Sequence, residues 1–198
     1  MLQVSELSGR HDRESFDCGN AELNSYLRQI AGQHVRKSLA RVYVACEESE
    51  PSRIVACCGG GGLAAGLALA CPQSAVVPVE PEGWDMVGQA MAKGEIVHAA
   101  PDAPATICDA LQPPATKPIN LAVLSGRADP GVTVSDEEVR AAQRFAFTRL
   151  HLVVEPGGAA ALAAALAGKV ALDAHTVIML TGGNVDPAQY AQTIAASN

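Results

Sequence analysis

"CCGGGGLAAG", Cys57 to Gly66, sets four consecutive glycines between an apolar run, "RIVACC", and an alanine- and leucine-rich segment, "LAAGLALA". The flanks read as a strand and a helix. A strand, glycines and a helix start can aim backbone N–H groups at an anion, because missing side chains permit close approach and the helix N-terminus adds partial positive charge. A tight turn or a close helix–strand contact is the competing reading of the same residues. A dinucleotide reading is also open: Gly59, Gly61 and Ala64 fit G-x-G-x-x-A, and Glu80 closes the next apolar run about twenty residues on, where a ribose ligand would sit.

Outward from the glycines the pattern alternates. "SAVVPVE" reads as a buried strand, "WDMVGQAMAKG" as a helix closed by Gly94, and "GVTVS" as a short strand. "SDEEVRAAQRFAFTRL" reads as a helix with Ser135 as N-cap and Glu138 completing a capping box. "EPGGAAALAAALAG" follows as a helix, "HTVIML" as a strand, "TGG" as a turn and "DPAQYAQTIAAS" as a last helix. The proline-rich "PDAPATICDALQPPATKP" reads as an irregular loop. Strands alternating with helices argue for an α/β fold, a parallel sheet with helices on both faces. Upstream, "LQVSEL" and "ARVYVAC" read as strands flanking a helix, "NAELNSYLRQIAGQHV", with Asn20 as its N-cap. The first 53 residues carry half of the 14 Lys and Arg, so two domains are expected, 1–53 and 54–198.

Composition narrows the function. The chain has 198 residues, 48% hydrophobic and 18% charged, and a net charge of −7, which leaves no broad basic surface for nucleic acid. No charge falls between Ile54 and Val79, yet the glycines and "CPQS" split that run into pieces too short to span a membrane. The six cysteines form no C-x-x-C pair and read as reduced thiols of a cytoplasmic protein. The N-terminal "MLQVSELSGRHDRES" carries charges where a signal peptide needs apolar residues, so export is not expected.

The segments "GGGGLAAGLALA", "VEPEGWDM", "TICDAL", "VTVSDEEVRAAQRFAFTRLHLVVEPGGAAALAA" and "VIMLTGGNVDP" resemble, in order, the C-terminal half of the threonine/serine dehydratases and serine racemases. These are pyridoxal-phosphate enzymes of fold type II, so the resemblance implies part of a tryptophan-synthase-β-like fold. It implies that Gly59, Gly60, Gly61, Gly62 and Leu63 cradle the cofactor phosphate. It places Thr181 at the pyridine nitrogen, where the family usually has Ser, and a neutral hydroxyl there suits β-elimination. Glu155 takes the position of a family glutamate near the ring, with a helix N-terminal acid as the equal alternative. A divalent cation would fall on Glu80, Trp84 and Met86, but a methionine is a poor ligand for a hard cation. Solvated acids are therefore the favoured reading of Glu80 and Asp85.

The family's Schiff-base lysine belongs to a Lys-Arg-Gly motif in its N-terminal half, and neither that motif nor the carboxylate-binding Ser-Gly-Asn-His segment is present. Lys37, Lys93, Lys117 and Lys169 all have surface or capping explanations. Residues 10–56, with "FDCGNAELNSYLRQIAGQHV", resemble instead the N-terminal part of toxin-type GNAT acetyltransferases, short of their acetyl-CoA motif. The expectation is a chimera joined between Arg53 and Cys58: a dehydratase-derived domain that binds pyridoxal phosphate non-covalently and is inactive alone. A half-enzyme completed by another chain bearing the lysine is the first alternative, a non-catalytic interaction protein the second, and a dinucleotide or acetyl-CoA binder the third. The resemblance also implies a homodimer.

Overall fold

A computed structural model describes residues 2–8, 11–17, 21–36, 43–47 and 51–196. The chain divides into two compact units, Met1–Glu50 and Pro51–Asn198. In the first, β1 (Leu2–Glu6) pairs antiparallel with β2 (Tyr43–Glu47), Leu2 opposite Glu47 and Glu6 opposite Tyr43. The intervening helix runs as α1 (Ala21–Ser25), a π-helical stretch (Tyr26–Ala31) and α2 (Gly32–Arg36). The proposed N-cap, Asn20, and Cys18 lie outside the described residues.

The second unit holds the parallel sheet read from the sequence. Its strands are β3 (Arg53–Cys57), β4 (Ala75–Pro81), β5 (Val132–Val134) and β6 (Thr176–Ile178), in the order β5-β4-β3-β6 and all parallel. The central pair β3 and β4 is almost wholly buried, which is why both read as continuous apolar runs. The helices are α3 (Gly62–Ala70), α4 (Met86–Lys93), α5 (Pro118–Leu124), α6 (Asp136–Phe145), α7 (Pro156–Leu166) and α8 (Pro187–Ala195). Two apolar clusters form the core. One gathers Val55, Cys57, Val79 and Val139 around α7, whose residues 157–164 are buried throughout; the other gathers Cys58, Ala64, Ala68, Val87 and Leu124. The adjacent cysteines Cys57 and Cys58 thus point to opposite faces of the sheet, as successive strand residues must. Cys57, Cys58, Cys71 and Cys108 are free thiols.

Helix α5 differs from the sequence reading, which leaves its residues unassigned after the proline-rich loop. It is short and its first residue is Pro118, so it carries neither a side-chain cap nor a long apolar period to announce it. The 3₁₀ turn Asp109–Leu111 is likewise the only regular piece within the expected loop among the described residues before α5.

The capping box of α6 is present in both directions. Ser135 Oγ accepts from the Glu138 backbone N–H at 3.3 Å, and Glu138 Oε2 accepts from the Ser135 N–H at 2.7 Å. Helix α6 packs on α7, so its register bears on the core. Ser135→Ala is expected to cost about 1 kcal/mol in urea unfolding.

Candidate functional site

Strands β3, β4 and β6 all end at one edge of the sheet, the carboxyl edge where open α/β sheets bind ligands. From β3 the chain passes through Cys58, Gly59, Gly60 and Gly61 into α3. The last sheet bond runs from the Cys58 N–H to the Val79 carbonyl at 2.8 Å. Gly61 then takes φ +87°, a left-handed conformation that reverses the chain into the helix, and any Cβ there would lie 3.2 Å from Asn120 Cβ and Leu124 Cδ1. From α5, the Asn120 amide donates to the Gly60 carbonyl at 2.7 Å. That carbonyl is therefore tied back to the protein, and among the described residues no protein acceptor is assigned to the N–H groups of Gly59, Gly60, Gly62 or Leu63. Gly61 is buried but Gly62 and Leu63 are exposed, so the loop meets solvent where α3 begins.

Thr181 leaves β6 beside this loop. Its Oγ1 is 3.2 Å from Cys57 Sγ, its N–H donates to the Gly158 carbonyl at 3.3 Å, and its own carbonyl presses on Gly158 so closely that a Cβ there would collide with it. Glu155 stands at the head of α7 as its N-cap residue, but its side chain caps nothing in that helix. Its carboxylate instead lies against Gly182, where a Cβ would strike it, and accepts from the Asn184 N–H at 3.1 Å. The backbone adds a bond from the Glu155 N–H to the Gly182 carbonyl at 3.1 Å. Thr181 and Glu155, distant in sequence, are thus held on one turn, and Cys57 links Thr181 to the start of the glycine loop.

Glu80 corrects one expectation. It is not a solvated acid: it is 1% exposed, and its two carboxylate oxygens accept from the backbone N–H groups of Val87 and Gly88, both at 2.8 Å. Those N–H groups belong to the first turn of α4, whose partial positive charge faces the carboxylate. Asp85 is half-buried at the N-cap position of the same helix. A hard cation does not fit here. Met86 is 3% exposed and offers only sulfur, both Glu80 oxygens are committed to backbone donors, and among the described residues no three His, Cys, Asp or Glu side chains gather as a metal-binding group.

Two contributors carry no signal in the sequence. Asn120 sits on the unannounced α5, and Cys57 reads only as one of several scattered thiols. The glycines, by contrast, are visible because a run of bare backbone at a strand end has few purely structural uses.

The fold and this edge define an α/β protein with a glycine loop at a strand-to-helix turn. The family model described as "Pyridoxal-phosphate dependent enzyme" matches residues 29–182, and the chain belongs to that family. The match begins at residue 29, inside the segment for which an acetyltransferase-like fragment is expected, so the boundary near Arg53 does not mark where family similarity starts. The chain is 39% identical over 144 residues to serine racemase of Schizosaccharomyces pombe, covering 70% of this chain and 44% of that protein. It is 37% identical over 142 residues to L-threo-3-hydroxyaspartate ammonia-lyase of Saccharomyces cerevisiae, covering 69% and 43%. Among solved structures, the T.th. threonine deaminase superposes with a TM-score of 0.64 at 35% identity, over 70% of this chain and 46% of that one. The chain therefore spans less than half the length of these relatives. Among the described residues no helix is long and apolar enough to cross a membrane.

Burial pushes the Glu80 carboxyl up to about 7, against the downward pull of the Gly88 and Val87 amides. The folded chain thus holds this proton more tightly than the unfolded chain does. The resulting stability is fully present below the ordinary Glu value and is lost as pH rises through about 7. Parent protein is expected to lose on the order of 3 kcal/mol from this group between about pH 4 and 8. Glu80→Gln is expected to flatten that part of the urea-unfolding profile, whatever its effect on the absolute level; parallel profiles would contradict it.

Proposed function

We propose that this chain carries the phosphate-gripping half of a pyridoxal-phosphate lyase of the threonine/serine dehydratase kind, and that by itself it binds the cofactor non-covalently without turning over substrate. The observation that supports this most is the set of uncommitted N–H groups at Gly59, Gly60, Gly62 and Leu63, beside a hydroxyl, Thr181, at the same sheet edge. A phosphate dianion suits such a cradle, where backbone donors and the start of α3 act together. In this reading Gly59–Gly62 and Leu63 hold the phosphate, Thr181 meets the ring nitrogen and Glu155 stands beside the ring.

Pyridoxal phosphate, when bound, supplies an electron sink for the electron pair left at a substrate α-carbon. The residues here contribute orientation. Glu155 and Gly158 fix the turn that presents Thr181, and Asn120 holds the Gly60 carbonyl back on α5. A neutral hydroxyl at the ring nitrogen leaves that nitrogen unprotonated, which suits elimination of a β-hydroxyl.

The amine that would hold the cofactor covalently and move the α-proton is not supplied by the lysines whose surroundings are described. Lys169 Nζ donates to Glu138 Oε2 at 2.7 Å and to the Thr133 carbonyl at 2.9 Å, and Lys93 Nζ donates to Gln89 Oε1 at 3.3 Å. Lys117 is exposed just before α5, and Lys37 lies outside the described residues. A second reading, a half-enzyme completed by another chain bearing the lysine, is favoured by one feature. Phe147, Leu150, Leu152 and Val153 form a run of exposed large apolar side chains leading directly to Glu155.

Titration of the purified chain with pyridoxal phosphate is expected to show binding that inorganic phosphate competes away. Borohydride reduction should label no lysine, and neither serine nor threonine should release ammonia. Gly61→Ala, strained at its positive φ, is expected to destabilise the fold by about 1–2 kcal/mol and to weaken phosphate-competed binding at least several-fold. A single labelled lysine with threonine deamination would overturn the claim of inactivity, and tight NADH binding would overturn the cofactor assignment.

A further inference from the structure

Resting on the assignment of Thr181 above, we propose that Cys57 is a positioning residue for the cofactor ring: its thiol donates to Thr181 Oγ1 and so turns the hydroxyl proton outward, toward an acceptor. Cys57 is the last residue of β3, just before the glycine loop, and its Sγ lies 3.2 Å from Thr181 Oγ1. It is 7% exposed, within the apolar cluster that includes Val55, Val79, Leu111 and Val154. The Thr181 main chain is fixed on both sides, its N–H on the Gly158 carbonyl and its carbonyl against Gly158, which leaves the hydroxyl as the part free to orient.

A threonine hydroxyl has one hydrogen to give and two lone pairs to receive with. Sulfur is the weaker acceptor of the pair, so the favoured direction is S–H to oxygen, and the hydroxyl keeps its own hydrogen. Thr181 is only half-buried, so in this proposal that hydrogen turns away from the Cys57 thiol to where a ring nitrogen lone pair can accept it. The thiol thus sets both the place of the hydroxyl and its donor role. Cys58 cannot share this work, because its side chain lies on the other face of the sheet among Ala64, Ala65 and Leu124.

The test uses the full chain and two probes without an aldehyde: 4′-deoxypyridoxine 5′-phosphate, and a counterpart with C–H in place of the ring nitrogen. Inorganic phosphate serves as a third probe of the glycine loop alone. Cys57→Val is expected to weaken the pyridine probe about 3- to 10-fold while leaving the C–H probe and phosphate within about twofold, the size of one modest hydrogen bond. Cys57→Ser should restore the pyridine probe, and in a Thr181→Val background Cys57→Val should add no further loss. The comparison of two ring probes on one variant is insensitive to a general loss of stability. Equal weakening of both ring probes would show that Cys57 only packs, and would overturn the inference. Unchanged pyridine binding in Cys57→Val with weakened binding in Thr181→Val would also overturn it, leaving the Thr181 assignment standing. Unchanged binding in Thr181→Val would remove that assignment and this inference together, and failure of the parent chain to bind any probe would remove the glycine-loop reading itself.

Discussion

The left-handed turn at Gly61 is the constraint on which the site depends. A strand as buried as β3 must hand the chain to a helix on the outer face without leaving a side chain in the way, and only a residue lacking Cβ accepts φ +87° against Asn120 and Leu124. The reversal takes only a few residues, and among the described residues the N–H groups of Gly59, Gly60, Gly62 and Leu63 have no assigned protein acceptor. Asn120 keeps the Gly60 carbonyl from joining them. In the proposed reading these donors would offer a phosphate a local grip on a protein whose net charge is −7.

The opposite wall is built by a second close approach, of α7 to the exit of β6. Gly158 lets the helix backbone touch the Thr181 carbonyl, and Gly182 leaves room for the Glu155 carboxylate. Consecutive glycines in "EPGG" and "TGG" are thus two sides of one contact. This explains why Glu155 belongs both to a helix start and to the turn beyond β6, two readings that the residue pattern alone does not separate. Its side chain reaches the turn rather than capping its helix.

Much of this is legible in the residue pattern, for physical reasons. Strands β3 and β4 announce themselves because burial on both faces demands unbroken apolar runs, and α6 because Ser135 and Glu138 form a cap that is local in sequence. What escapes is set by contacts between distant segments. Helix α5 has no cap and begins at a proline, so Asn120 is invisible as a support of the loop. The burial of Glu80 escapes for a similar reason. An acid at a strand end looks solvated until a helix N-terminus, seven and eight residues on, is seen to supply Val87 and Gly88 as donors. Those donors occupy both carboxylate oxygens without offsetting the burial that raises the Glu80 carboxyl, and the neighbouring Met86 offers only sulfur.

The most direct measurement of the central claim is a ¹⁵N-resolved NMR titration of the chain with pyridoxal phosphate. The largest amide shifts are expected at Gly59, Gly60, Gly62 and Leu63, with smaller ones at Thr181 and Gly182, and inorganic phosphate alone should reproduce the first group without the second. Shifts that avoid the glycine loop, or none at saturating cofactor, would contradict a phosphate grip at this edge of the sheet.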